Sequence, residues 1–203
     1  VLMEMSDYGL DLHSGGSSLH YLPSAVAGVD ENEKRTRRIQ DLMQVFGAPY
    51  SFIFPGVQAR SGSFASALRR NVLFFGTEMG GSGTVTPNCL EICFDGVTRF
   101  LYEIGLLKNS IALPAARPSR MLHAPTFDHF TYTLDVGLFE PIVDLGNEVR
   151  KGDIAARIHF PELPWKKPVE VFFDADGLVA CKRVPGRVER GDCLFHLGAD
   201  LTN

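Results

Sequence analysis

Long apolar runs are missing from this sequence. No stretch comes near the ~18 consecutive apolar residues of a membrane span, so neither a transmembrane helix nor a membrane partner is expected. No secretory signal pattern is visible. Cysteine is scarce: the four present, Cys89, Cys93, Cys181 and Cys193, show no C-x-x-C spacing. They read as buried, reduced thiols, which fits a reducing, cytoplasmic compartment. A basic stripe is also absent. The net charge is −4 and the pI near 5.9, which argues against nucleic acid as a partner. The one basic cluster, "EKRTRR" from Glu33 to Arg38, sits beside acids and reads as a solvated helix face. No G-x-S-x-G elbow exists, which disfavours a serine hydrolase. The glycine-rich run Gly80–Gly83 lacks the Lys-Ser/Thr of a phosphate-binding loop, which disfavours nucleotide binding.

What is there suits a globular protein with a sizeable core: 45% of the 203 residues are hydrophobic and 22% charged. The first half alternates strand and helix signals. "YGLDLH" reads as a short strand. Asp30 can cap a helix running to about Phe46, with Ile39, Leu42, Met43 and Phe46 as its apolar stripe and Gly47 as its stop. "YSFIF" predicts a strand closed by Pro55-Gly56, "GSFASALRR" a short helix, and "NVLFFGTE" a buried strand. Thr86 then caps a helix with Pro87 in its first position and Gly105 at its end. This order predicts an α/β layer with partly parallel strands.

Pro114 and Pro118 punctuate a linker, and the pattern then changes to short β runs without a convincing helix. Two domains are expected, 1–118 and 119–203. The second contains an internal repeat: "LGNEVRKGDIAARI" (145–158) aligns with "VPGRVERGDCLFHL" (184–197), sharing V-x-[RK]-G-D at a spacing of 39 residues. A glycine before the aspartate suits a tight reversal. The module resembles the biotinyl/lipoyl barrel-sandwich hybrid. Its hairpin "FFDADGLVA" carries no lysine at the tip, so a carrier role has no acceptor. Trp165 reads as a packing residue of this module, with a lid or oligomer contact as the alternative.

Two stretches carry chemistry. In "GLDLHSGGSSLHYLPSA", His13 ends a strand, where α/β sheets bind ligands. Asp11 lies two residues back, on the same side, and can fix the imidazole tautomer. A metal site and a polar strand-end cap both fit. His20 falls in the loop that follows and can line a pocket. In "FFGTEMGGSGTVTP", Glu78 sits just past an apolar strand and beside Gly80 and Gly81. A carboxylate there suits general-base work, with burial raising its pKa. An anion cradle at a helix start and an ordinary strand-to-helix turn also fit.

Together, "DLHSGGSSLHYLPSA", "GTEMGGSGTVTP" and the two V-x-x-G-D turns resemble the succinylglutamate desuccinylase/aspartoacylase family, and within it the N-acetyl-diaminobutyrate deacetylase branch. The resemblance implies a zinc-carboxypeptidase-like α/β layer, partial here, followed by the all-β module, which would lean over the active-site mouth. It implies a zinc-dependent deacylase acting on a small N-acyl amino acid, with His13 as the last zinc ligand and Glu78 activating the water. Arg60, Arg69 and Arg70 are the local candidates for the substrate carboxylate, with Gly80 and Gly81 nearby. The family's other two ligands come from an upstream H-x-x-E motif. Only twelve residues precede His13, and the single "HFPE" (His159 to Glu162) lies in the β module, where it reads as coincidence. The chain is therefore expected to be the C-terminal part of a longer enzyme, inactive alone and stable only with an upstream segment or partner. A non-catalytic binding or scaffold protein built on the β module is the alternative. Homo-oligomerisation is left open.

Overall fold

The computed structural model describes residues 2–28, 32–54, 62–108 and 113–201. In chain order the elements are β1 (Tyr8–Asp11), β2 (Leu19–Tyr21), β3 (Ser24–Gly28), α1 (Glu33–Phe46), β4 (Tyr50–Phe54), α2 (Gly62–Arg69), β5 (Leu73–Glu78) and α3 (Pro87–Glu103). There follow β6 (Arg120–His123), β7 (Phe130–Tyr132), β8 (Gly137–Pro141), β9 (Glu148–Val149), β10 (Ile154–His159), β11 (Val169–Phe172), β12 (Gly177–Arg183), β13 (Arg187–Val188) and β14 (Cys193–Asp200).

The helices form where their caps and stripes dictate. Asn32 caps α1 by accepting from the Arg35 N–H at 3.1 Å, while Asp30 lies outside the described residues. Ile39, Leu42, Met43 and Phe46 are buried, and Gly47 ends the helix in the left-handed region at φ 72°. Thr86 caps α3 through the Cys89 N–H at 3.2 Å, and Pro87 takes the first turn, where its missing N–H costs nothing. The α1 stripe packs on Ala25, Ala27, Ile53 and Phe75 of the sheet, with Phe100 from α3 completing the cluster. Each fully buried Phe or Leu there contributes roughly 1.5–3 kcal/mol. The buried Arg99 of α3 donates to the carbonyls of Val45 and Phe46, closing the open end of α1.

The mixed α/β arrangement has a ten-stranded sheet with the path β1-β5-β3-β4-β6-β14-β12-β2, with β7 on β14 and β9 on β12. The pairs β1/β5, β3/β4 and β4/β6 are parallel and β3/β5 antiparallel. A four-stranded sheet, β11-β10-β8-β13, packs behind the C-terminal strands around Phe139, Ile158, Phe173, Phe195 and Leu197.

The repeat is structural. In both copies the valine is buried and the aspartate carboxylate accepts from the backbone N–H three residues earlier at 2.8 Å, Asp153 from Arg150 and Asp192 from Glu189. Gly152 and Gly191 sit at φ 90° and 88°, a conformation that a side chain strains.

Three expectations need correction. The segment after His13 is not all loop: Leu19–Tyr21 is a strand, held by the register Cys181↔Tyr21 and Lys182↔His20 on β12. "FFDADGLVA" is not a hairpin, because β11 pairs with β10 in one sheet and β12 with β14 in the other, so the turn carries the chain between layers. Trp165 is 79% exposed and packs in no core, since the segment around it belongs to no strand. The Pro55-Gly56 turn lies outside the described residues.

Candidate active site

The parallel strands β1 and β5 run side by side with Asp11 opposite Gly76. His13 follows the carboxyl end of β1 and Glu78 ends β5, so both emerge at the end where open α/β sheets bind ligands. Thr77 fixes their registry. Its buried hydroxyl accepts from the His13 N–H at 2.9 Å and donates to the His13 carbonyl at 3.0 Å. The Met79 N–H reaches the same carbonyl at 3.0 Å.

Glu78 is the electrostatic centre. Its Oε2 is buried without a hydrogen-bond partner among the described residues. Burial pushes the carboxyl up to about 7, the His13 imidazole opposes that shift, and the Asp11 carboxylate adds to it. A carboxylic acid poised near neutrality can take up and return a proton at little cost. Asp11 does not hold the imidazole: its Oδ2 accepts from the Ser63 hydroxyl at 3.4 Å, and among the described residues it makes no hydrogen bond to His13. It acts on the site through its charge. His13 is exposed, and its ring makes no hydrogen bond among the described residues, which leaves a nitrogen available to a ligand.

The glycine loop wraps the segment after His13. The N–H groups of Gly15 and Tyr21 both donate to the Gly80 carbonyl, at 3.1 and 3.0 Å, and Ser82 N–H donates to Leu19 at 3.2 Å. A Cβ on Gly81 would lie 2.0 Å from the Leu19 carbonyl oxygen, so only glycine allows this crossing. His20 bridges to Gly81 and its Nδ1 lies 3.0 Å from the Ser82 hydroxyl. Beyond it, His20, Ser82, Phe139, Leu145, Lys182 and Arg183 line a crevice of about 330 Å³. Residues of both chain halves therefore border this loop.

The arginines do not converge here. Arg70 precedes β5, at the opposite end of the strand from Glu78, and is ion-paired with Glu4; Arg69 ends α2, exposed at that same far end. Their place in the helix-to-strand turn carries them away from the carboxyl ends of the strands. Arg60 lies outside the described residues. His159 belongs to the β module, where its Nε2 lies 2.6 Å from Glu140. Thr77 escaped the sequence reading. Its signal was present, a lone hydroxyl in an otherwise apolar strand directly before the acid.

The sequence model of the succinylglutamate desuccinylase/aspartoacylase catalytic domain matches residues 2–104. N-alpha-acetyl-L-2,4-diaminobutyric acid deacetylase from Halomonas elongata is 34% identical over 194 residues, 96% of this chain and 56% of that protein. The chain thus spans about half the length of its curated relative. The crystal structure of a succinylglutamate desuccinylase/aspartoacylase from Rhodobacter sphaeroides superposes with a TM-score of 0.89 at 29% identity, covering 99% of this chain and 61% of that one. The product-bound ectoine utilization protein EutE (DoeB) from Ruegeria pomeroyi does so with a TM-score of 0.86 at 30% identity, over 98% of this chain and 60% of that one. With half of its residues matched by the catalytic-domain model and its fold shared along almost its whole length, the chain belongs to the succinylglutamate desuccinylase/aspartoacylase family.

Proposed function

We propose that this chain carries the proton-transfer base and one metal ligand of a zinc-dependent deacylase, which hydrolyses the amide of a small N-acyl amino acid of the N-acetyl-diaminobutyrate kind. The observation that carries the reading is the orphaned Oε2 of Glu78, buried beside His13 at the ends of two parallel strands. The name of the Halomonas elongata relative supports the substrate class.

His13 would hold the zinc through its free imidazole. Zinc, when bound, supplies Lewis acidity to a water and to the amide carbonyl. A catalytic site needs about three protein ligands. Among the described residues no group of three or more His, Cys, Asp or Glu side chains is placed to hold a metal. His13 is therefore one ligand of a set that the described residues do not complete, and the chain alone is expected to be inactive.

Glu78 handles the proton. Its carboxylate takes one from the attacking water, whose oxygen bonds to the amide carbon. It then gives that proton to the nitrogen as the C–N bond breaks, so acid and amine leave and the carboxylate is restored. Burial, with a smaller contribution from the Asp11 carboxylate, keeps the Glu78 pKa high enough for the return step. The decisive experiment uses the full-length gene product. Glu78→Gln should lower kcat about 10²–10⁴-fold with bound zinc retained, and His13→Ala should lose the zinc as well as the activity. Undiminished turnover in either variant would overturn the assignment.

A further inference from the structure

The crevice beside the glycine loop does not open onto the face that carries Glu78. Residues directly opposite on paired strands share a face of the sheet, and so do residues two apart on one strand. Glu78 lies opposite Ser24, Val26 lies opposite Phe52, and the Phe52 ring is 5.3 Å from that of His196. His196 is opposite Cys181, and Cys181 is opposite Tyr21. These residues form one face. Lys182, paired with Phe195 on one side and His20 on the other, belongs to the opposite face. There Phe195 packs on Phe139 between the two sheets, with ring centroids 5.7 Å apart. The crevice of about 330 Å³, lined by Phe139, Leu145, His20 and Lys182, lies on this second face.

Its two walls differ in chemistry. Phe139 and Leu145 make one apolar. Lys182, Arg183, His20 and Ser82 bring donors to the other, and no acidic side chain lines the space. The acids that balance the two cations stand outside it. Asp144, 75% exposed, lies 2.6 Å from Lys182, and Asp192 lies 2.7 Å from Arg183. A pair so open to water is weak, and an ammonium has three N–H groups, so Lys182 keeps donors for a ligand. The Nε of Arg183 is a buried donor without a partner among the described residues. Ser82 sits at φ 64°, and among the described non-glycine residues only Asn71 shares a positive φ. Such strain persists where a side chain is held in place by its surroundings. Here it sets the Ser82 hydroxyl 3.0 Å from Nδ1 of His20.

We propose that this crevice is a second binding site, separate from the catalytic face, which takes a small monocarboxylate with an apolar tail. The carboxylate meets Lys182 and Ser82, and the tail covers Phe139 and Leu145. Asp144 and Asp192 nearby oppose a second negative charge, which selects a monoanion over a phosphate or a dicarboxylate. The volume, at roughly 30 Å³ for each water-sized group, suits an acid of about six carbons. The ligand touches the glycine loop through Ser82, so its binding also steadies that loop.

Isothermal titration of the full-length gene product with sodium hexanoate, at fixed ionic strength, reads the site. Hexanoate should bind, and hexylamine, with the same tail and the opposite charge, should not. Lys182→Met keeps the apolar stem and removes the charge, and it should weaken binding about tenfold or more. Ser82→Gly removes the hydroxyl and suits the backbone, so the fold is spared while binding weakens. His13→Ala, on the other face, should leave the affinity unchanged. Amide exchange at 81–83 should slow when hexanoate is bound. Absence of binding, equal binding of hexylamine, indifference to Lys182→Met, or binding that depends on His13 alone would each overturn the proposal.

Discussion

Thr77 grips the peptide of His13 from both sides, taking its N–H at 2.9 Å and giving its own proton to the carbonyl at 3.0 Å. Because Thr77 directly precedes Glu78, one buried hydroxyl sets the imidazole and the carboxylate in register. Valine matches its shape and can do neither job. Thr77→Val leaves the His13 N–H unpaired, while the carbonyl keeps its bond from Met79. The variant should lose about 1–3 kcal/mol of stability, and zinc affinity of the full-length protein should fall ~10–100-fold. Thr77→Ser should recover both. Urea denaturation and metal titration read the two effects, and a valine variant that matches the parent in both would show the clamp to be idle.

The crossing of the glycine loop over Leu19 makes a second test. Gly81 has φ 153° and no room for a Cβ, whereas Gly83 at φ 66° has open space around it. Gly83→Ala meets only backbone strain, about 1–2 kcal/mol. Gly81→Ala drives a methyl into a backbone carbonyl that cannot step aside, so the loop has to move. Its cost should exceed that of Gly83→Ala, at roughly 3 kcal/mol or more. The loss should also spread to Gly80, whose carbonyl holds Gly15 and Tyr21. Equal stabilities for the two alanine variants would mean that the crossing is not the constraint.

How much of this could be read in advance depended on whether the determining contacts were local. The α1 stripe, the Gly47 stop, the Thr86-Pro87 start and the paired Gly-Asp turns are set within a few residues, and they formed as their side chains require. Asp11, His13 and Glu78 were legible as strand-end polar groups. Strand β2 was not: three residues with no periodicity become a strand because β12, some 160 residues later, pairs with them. The arginines failed for the complementary reason. Arg69 and Arg70 are near Glu78 in sequence, but a strand six residues long stands between. Proximity along an extended strand is distance in space.

His196 provides the pH test. It is 1% exposed and stacked on Phe130 at 4.3 Å between centroids and 10° between planes, with Phe52, Phe54 and Tyr21 completing the surround. Neither ring nitrogen has a partner among the described residues. Burial pushes its pKa down to about 3, helped by His129 nearby. The unfolded chain binds this proton near the ordinary histidine value of about 6.5. Between those two values the unfolded state therefore holds more protons than the folded one. The stability that the neutral ring allows is complete above pH ~6.5 and is lost as pH falls toward 3, with a slope approaching 1.4 kcal/mol per pH unit from this group alone. His196→Phe keeps the stacking and removes both the proton site and the two orphaned nitrogens. It should be at least as stable as the parent at pH 7, and its advantage should widen steadily on acidification. The carboxylates lowered by ion pairs, Asp144 with Lys182 and Asp200 with Arg120, also weaken the fold in acid, but equally in both proteins, so the difference between the two curves isolates His196. Urea midpoints at half-unit steps from pH 7.5 to about 4 measure that difference. Parallel curves would mean that the imidazole is charged or solvated in the native protein, and that the aromatic box is open to water.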